Sequence, residues 1–163
     1  MNWLYILLTI MVVMVGALLA GHEALAKVLT GTSADDTLVG TDRDDRLTGL
    51  RGPDHLTGRD GEDHLKGSRG NDHLEGSRDA DDLWGSQGND HLWGSRGNDK
   101  IFPGEDNDKV YAGAGNDLIY ARDTEGEDYI DCGAGFDKVE TIHRPDESLH
   151  NCERAPGPER GNI

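Results

Sequence analysis

The chain has 163 residues, of which 32 are acidic and 16 basic, for a formal net charge of −16 at pH 7. That balance excludes the basic surface that nucleic-acid phosphates require and favours cations as partners. With 34% hydrophobic residues the composition alone reads as a disordered chain, so only a regular pattern can make it a folded one.

The first 26 residues differ in kind from the rest. From Trp3 to Ala20 there is no charged side chain; Gly21, His22 and Glu23 break the run, and Ala24-Leu25-Ala26 has the small-x-small form of a signal-peptidase site. Residues 1–26 therefore read as a secretion signal, with a mature chain from about Lys27. An apolar run of this length also suits an uncleaved N-terminal anchor, the one circumstance in which a membrane becomes a partner. Both readings put the remainder outside the cytoplasm, as a secreted or cell-surface protein. Removing Glu23 from the 32 acidic residues leaves 31 against 16 basic ones, a net charge of −15.

From Gly31 a nine-residue period begins and holds to Tyr120 without a slip. Position six is Asp in every copy: Asp36, Asp45, Asp54, Asp63, Asp72, Asp81, Asp90, Asp99, Asp108 and Asp117. Position eight is aliphatic in every copy, from Leu38 and Leu47 through Ile101 and Val110 to Ile119. Ala121 and Arg122 are then inserted, and two further copies follow with Asp128 and Ile130, then Asp137 and Val139. Twelve repeats span 31–140, within a repeat domain taken as 27–140.

Each nonapeptide divides into a six-residue turn and a three-residue strand. Glycine at position one and often at position four supplies positive φ, and Asn at position five tolerates the left-handed region. Strand side chains alternate with period two, so position eight is expected to be the only one aimed at the core. Two repeats make one coil; strands stack in parallel and turns stack along two edges. One edge carries Asp36, Asp54, Asp72, Asp90 and Asp108, the other Asp45, Asp63, Asp81, Asp99 and Asp117. One buried aliphatic per nine residues does not offset the entropy of ordering them, and stacked carboxylates repel. A divalent cation between adjacent turns reverses that sign. Ca²⁺ suits it best, because it accepts six to eight oxygens in flexible geometry where Mg²⁺ demands a strict octahedron, and the ion becomes a folding partner.

Runs such as Gly88-Asn89-Asp90-His91-Leu92 and Gly97-Asn98-Asp99-Lys100-Ile101 resemble the RTX, or haemolysin-type, calcium-binding nonapeptide G-G-x-G-x-D-x-U-x. The resemblance covers residues 31–140. It implies an all-β fold, a right-handed parallel β-roll with calcium between turns of consecutive coils, in which each sixth-position Asp from Asp36 to Asp137 is a carboxylate ligand and turn carbonyls complete the shell. The chain departs from the pattern at position two, mostly Ser or Thr (Ser68, Ser77, Ser86, Ser95), at position four (Ala34, Arg43, Asp79, Asp106) and at Pro103 in position one. The best sites are therefore expected between Asp54 and Asp117, with about six to eight ions in at most about ten inter-turn positions.

Cys132 and Cys152 are the only cysteines and, in a secreted chain, read as one disulfide tying the tail to the final coil. His55, His73 and His91 fall at position seven of one face and His64 on the other; the expectation is a solvated strand face rather than a Zn²⁺ or Cu²⁺ site. Position nine turns aromatic late in the array, Trp84, Phe102 and Tyr120 on one face and Trp93 and Tyr111 on the other. Such outward ladders stiffen the roll or, alternatively, recognise a glycan or cell-envelope partner. Residues 141–163 read as a cap up to Cys152 followed by a disordered tail. No nucleophile elbow, zinc helix or phosphate loop is present, so the sequence reads as a calcium-binding structural module and not an enzyme.

Overall fold

The structure of the chain, a computed structural model, describes residues 25–121, 126–141 and 148–152. Their regular structure is all strand: β1 (Val28–Thr30), β2 (Thr37–Val39), β3 (Arg46–Arg51), β4 (His55–Arg59), β5 (His64–Arg69), β6 (His73–Arg78), β7 (Asp82–Gln87), β8 (His91–Arg96), β9 (Lys100–Glu105), β10 (Lys109–Ala114), β11 (Leu118–Ala121), β12 (Tyr129–Asp131), β13 (Lys138–Thr141) and β14 (Ser148–His150). Odd strands form one seven-stranded parallel sheet in chain order and even strands the other. The chain thus alternates between two sheets at every repeat and closes one coil every two, which is a parallel β-roll.

Register follows from the period. Leu47 pairs with Leu65 and Leu56 with Leu74, eighteen residues on. Across the two-residue insertion the offset becomes twenty, Val110 opposite Ile130 and Ile119 opposite Val139, and the aliphatic columns stay aligned. Leu47, Leu56, Leu65, Leu74, Leu83, Leu92, Ile101, Val110, Ile119 and Ile130 are fully buried between the sheets. Leu29 on β1 and Leu149 on β14, outside the twelve repeats, add a partly buried rung at each end. β14 lies in the segment expected to cap the roll. The apolar residues 1–24 and the tail 153–163, expected to be a signal and a disordered end, lie outside the described residues.

Three expectations are corrected. The central strands are six residues long, not three, running through position three of the next repeat, as in His64–Arg69. Alternation continues along them, so Gly67 at position one is buried as well as Leu65 at position eight. The Asp residues at position six are buried too, Asp45 to Asp128 being no more than 2% exposed. Position eight is therefore not the only inward position.

Second, position one is not left-handed. Positive φ falls at position two (Leu50, Arg59, Ser68, Ser77, Ser86, Ser95) and position four (Gly52, Gly61, Gly70, Asp79, Gly88, Gly97, Asp106). Glycine at position one answers a different need: a Cβ on Gly49, Gly58, Gly67 or Gly76 would lie 2.2 Å from Oδ2 of the Asp five residues later. Third, the position-five asparagines Asn71, Asn89 and Asn98 do not have positive φ; their role is side-chain hydrogen bonding between coils.

Candidate metal centre

The six-residue strand and the two left-handed residues at its end turn the chain sharply enough to bring each Asp beneath the start of its own repeat. There its carboxylate meets the preceding coil. Oδ1 of Asp54 accepts the backbone N–H of Asp36 at 2.8 Å, and the same bond recurs from Asp45 to Asp63, Asp54 to Asp72, Asp63 to Asp81, Asp72 to Asp90, Asp81 to Asp99, Asp90 to Asp108 and Asp99 to Asp117. It spans the insertion at Asp108 to Asp128 and Asp117 to Asp137. A second ladder runs in the opposite direction at position five, where Asn71 Oδ1 accepts the N–H of Asn89, Asn89 that of Asn107, and Asn98 that of Asn116. The sequence shows these residues but not the ladder, because only stacking puts Asn71 beside Asn89.

With Oδ1 committed, Oδ2 is left over. In Asp54, Asp63, Asp72, Asp81, Asp90, Asp99, Asp117 and Asp137 this atom is buried and has no hydrogen-bond partner. A buried unpaired carboxylate oxygen is costly. Burial pushes the carboxyl of Asp81 up to about 8, those of Asp63, Asp90 and Asp99 to about 7, and those of Asp72 and Asp117 to about 6. Asp54 is raised for the same reason. In each the N–H bond from the preceding coil acts the other way, and neighbouring carboxylates add to the rise, Asp63 and Asp99 for Asp81.

The first two repeats differ. Asp36 Oδ2 accepts the Thr32 N–H at 2.6 Å and the Thr32 hydroxyl at 3.0 Å. Asp45 Oδ2 accepts the Thr41 N–H and, at 3.0 Å, its hydroxyl, while Asp45 Oδ1 accepts the N–H of Lys27. The position-two threonines of the N-terminal coil thus satisfy oxygens that are unpartnered further along. Thr32 and Thr41 were visible in the sequence as departures from the repeat, without this role.

At the other end Ala112, Ala121 and Cys132 stand in or beside the position-one column and join the buried core. Cys132 and Cys152 form a disulfide, their Cα atoms 5.1 Å apart, which fastens β14 to β12 beside the bond from Cys132 N–H to the His150 carbonyl at 3.0 Å.

On the outer faces the expected ladders are in place. Trp84, Phe102 and Tyr120 stack with centroids 5.4 and 4.6 Å apart, and Trp93 stacks on Tyr111 at 5.6 Å. His55 lies 4.1 Å from His73 in near-parallel stacking, and His73 is 6.3 Å from His91. Stacked imidazoles present faces to each other rather than converging nitrogens. Among the described residues no three His, Cys, Asp or Glu side chains converge in a geometry that would hold a metal ion.

The inner edges are the sites with metal-binding chemistry. Two rows of carboxylates, eight of which are buried with one oxygen held and one unpartnered, sit against glycine turns rich in carbonyl oxygens. Such an all-oxygen donor set suits a hard divalent ion of flexible coordination, and carbonyls must supplement the carboxylates. Fold and site together define a cation-binding β-roll repeat protein. A family model for the RTX calcium-binding nonapeptide repeat, four copies long, matches residues 30–65, 39–74, 75–110, 93–124 and 102–139. The chain belongs to that family and is a calcium-binding repeat protein. No curated protein sequence matches it.

Proposed function

We propose that this chain is an extracellular module whose folding is coupled to calcium, and that the ions sit between turns of successive coils on both edges. The residues that would hold them are Asp54, Asp63, Asp72, Asp81, Asp90, Asp99, Asp108, Asp117, Asp128 and Asp137, each presenting a carboxylate oxygen beside turn carbonyls. Asp36 and Asp45 belong to the same rows, but their threonine partners make them an N-terminal cap more than ligands. The observation that carries the reading is the row of buried, unpartnered Oδ2 atoms of Asp54, Asp63, Asp72, Asp81, Asp90, Asp99, Asp117 and Asp137. Bound calcium would supply the positive charge that lets these carboxyls ionise inside the roll.

Secretion is supported by the apolar segment with its Ala24-Leu25-Ala26 site and by a disulfide, a bond that persists in oxidising compartments. Extracellular modules bind calcium with dissociation constants of about 10⁻⁴–10⁻³ M, a range in which the chain would stay open in the cell and fold outside. The role is structural rather than catalytic, since the repeat accounts for every carboxylate row. A general glycan-binding use of the aromatic ladders is disfavoured within each stack, because neighbouring rings cover one another's faces.

The test is to recover the chain from the medium of a secreting host and titrate calcium into chelator-treated protein by far-UV circular dichroism. A cooperative coil-to-β transition with Ca²⁺ and none with Mg²⁺ is expected, together with an N-terminus at Lys27. A β-rich spectrum in chelator that calcium leaves unchanged would remove calcium-coupled folding. Retention of the chain inside the cell would remove the extracellular role.

A further inference from the structure

Position three closes each central strand, and its side chains stack in a column along each edge of the roll. On the odd sheet that column runs Arg51, Arg69, Gln87 and Glu105, at the ends of β3, β5, β7 and β9. Arg51 and Arg69 stand on neighbouring rungs, two like charges side by side, with strands about 4.8 Å apart. Arg69 Nε donates to Gln87 Oε1 at 3.1 Å, and Gln87 Nε2 donates to Glu105 Oε2 at 3.1 Å. The carboxylate of that column is thus two rungs from Arg69 and three from Arg51, and the terminal nitrogens of Arg69 stay uncommitted. Among the described residues the Arg51 guanidinium has no hydrogen-bond or ion-pair partner. On the even sheet the pair Arg78 and Arg96 is relieved by Asp60, whose carboxylate lies 3.0 Å from Arg78.

Position two of the same repeat is equally out of pattern. Leu50 has φ of 92° and is 40% exposed. It is the only apolar side chain among the described non-glycine residues with positive φ, and Ser68, Ser77, Ser86 and Ser95 hold the equivalent place in four later repeats. A branched apolar residue gains nothing from that left-handed, solvent-facing geometry, so folding does not account for it. Leu50 and Arg51 instead form, with Thr32, Ser33, Ser68 and Arg69, an open groove of about 420 Å³ across three successive rungs. The Thr32 hydroxyl donates to Asp36, which leaves the Ser33 and Ser68 hydroxyls to line the groove with the two guanidiniums.

We propose that this groove binds the sulfate or phosphate group of a small aryl or alkyl monoester, its oxyanion between Arg51 and Arg69 and its apolar group on Leu50. Guanidinium forks match tetrahedral oxyanions in two-point contact, and neighbouring rungs hold two of them close enough to share one anion. The anion relieves the repulsion between the arginines, as Asp60 does for Arg78. The volume lies in the roughly 300–1,000 Å³ range of small-molecule pockets. A lipid headgroup carries the same chemistry, but a chain of net charge −16 is repelled by an anionic membrane, which favours the free ester. The inference needs the folded roll and not its location, so it stands apart from secretion.

The test uses the full calcium-loaded chain, its fold checked by circular dichroism. The readout is the backbone amide resonances of Leu50, Arg51 and Ser68, with those of Arg78 and Arg96 as internal control. Phenyl sulfate should shift the first set saturably at millimolar concentration and leave the control set in place. Inorganic sulfate should bind about tenfold more weakly, and benzyl alcohol should produce no saturable shift. Arg51→Gln and Arg69→Gln should each weaken phenyl sulfate about tenfold. Leu50→Ser, which places there the residue of the later repeats, should reduce phenyl sulfate to the affinity of inorganic sulfate while calcium stoichiometry stays unchanged. No saturable shift with phenyl sulfate, equal shifts at both edges, or equal binding of inorganic sulfate would overturn the proposal. So would undiminished binding in a folded Leu50→Ser or Arg51→Gln chain. Binding of anionic vesicles by the unaltered chain but not by Arg51→Gln, with no shift from phenyl sulfate, would assign the groove to a membrane and equally overturn it.

Discussion

Oδ2 of Asp72 lies 2.2 Å from the point where Gly67 would carry a Cβ, while its Oδ1 accepts the N–H of Asp54 at 2.9 Å. One carboxylate is thus clamped from the coil before it and given room by the glycine that opens its own repeat. Replacing Gly67 by Ala should displace the carboxylate, at a cost of about 1–3 kcal/mol typical of overpacking. The expected result is a higher calcium midpoint of folding by circular dichroism. An unchanged midpoint would show that the position-one glycine is dispensable.

The two kinds of carboxylate should respond differently to neutralisation. Asp90→Asn keeps an acceptor for the Asp72 N–H bond but removes the charge and replaces the unpartnered Oδ2, and Asp90 faces a neighbour on each side along its edge. A loss of about one or two bound ions per chain is expected by equilibrium dialysis. Asp45→Asn should leave the stoichiometry unchanged, since Thr41 and Lys27 already hold its oxygens. Equal losses in both variants would contradict the capping role of Asp45.

The raised carboxyls fix the direction of the pH dependence. For Asp81 the folded value is about 8 and for Asp63, Asp90 and Asp99 about 7, against 3.8 for an ordinary aspartate. A group raised in the folded state binds its proton more tightly there, so its contribution is fully present below pH 3.8 and is lost as pH rises through the folded value. The calcium-free roll should therefore be most ordered near pH 4 and lose stability progressively as pH rises from there to about 8. Calcium affinity should move the opposite way and rise over that window, because protons compete for the same oxygens. Circular dichroism in chelator and calcium titrations at the two ends of the window check both signs.

Ser77 holds φ at 95°, in the region that favours glycine. Left-handed geometry at a non-glycine residue costs on the order of 1–3 kcal/mol, whereas glycine loses roughly 0.4–1 kcal/mol through greater freedom of the unfolded chain. Ser77→Gly should therefore stabilise the roll, by up to about 2 kcal/mol, seen as a higher melting temperature in saturating calcium. The same change at Thr41, where φ is not positive and the hydroxyl serves Asp45, should destabilise it.

The disulfide closes a loop whose cysteines are twenty residues apart. Cys132→Ser with Cys152→Ser should cost about 3 kcal/mol by loop-closure entropy, concentrated at β14 and the Leu149 rung. Hydrogen exchange is expected to rise in Ser148–His150 and to stay low in the central strands.

Much of this molecule was legible in the sequence because the fold is periodic. A nine-residue repeat with Asp at position six and an aliphatic at position eight determines the coil, the parallel register, the two edges and the outward faces on which Trp84 stacks with Phe102. The calcium family and the cysteine pair were legible for the same reason. What the repeat does not specify is which atoms meet across coils, since that depends on strand length and φ, not on residue order. Tertiary structure alone showed that Gly67 serves the Asp72 carboxylate rather than a left-handed turn, and that Asn71 hydrogen-bonds to the coil above. It also showed that Thr32 and Thr41 silence the first two carboxylates. Each of these lies between residues eighteen or twenty apart, or across a turn, where a small shift decides whether a polar atom is paired or left for an ion.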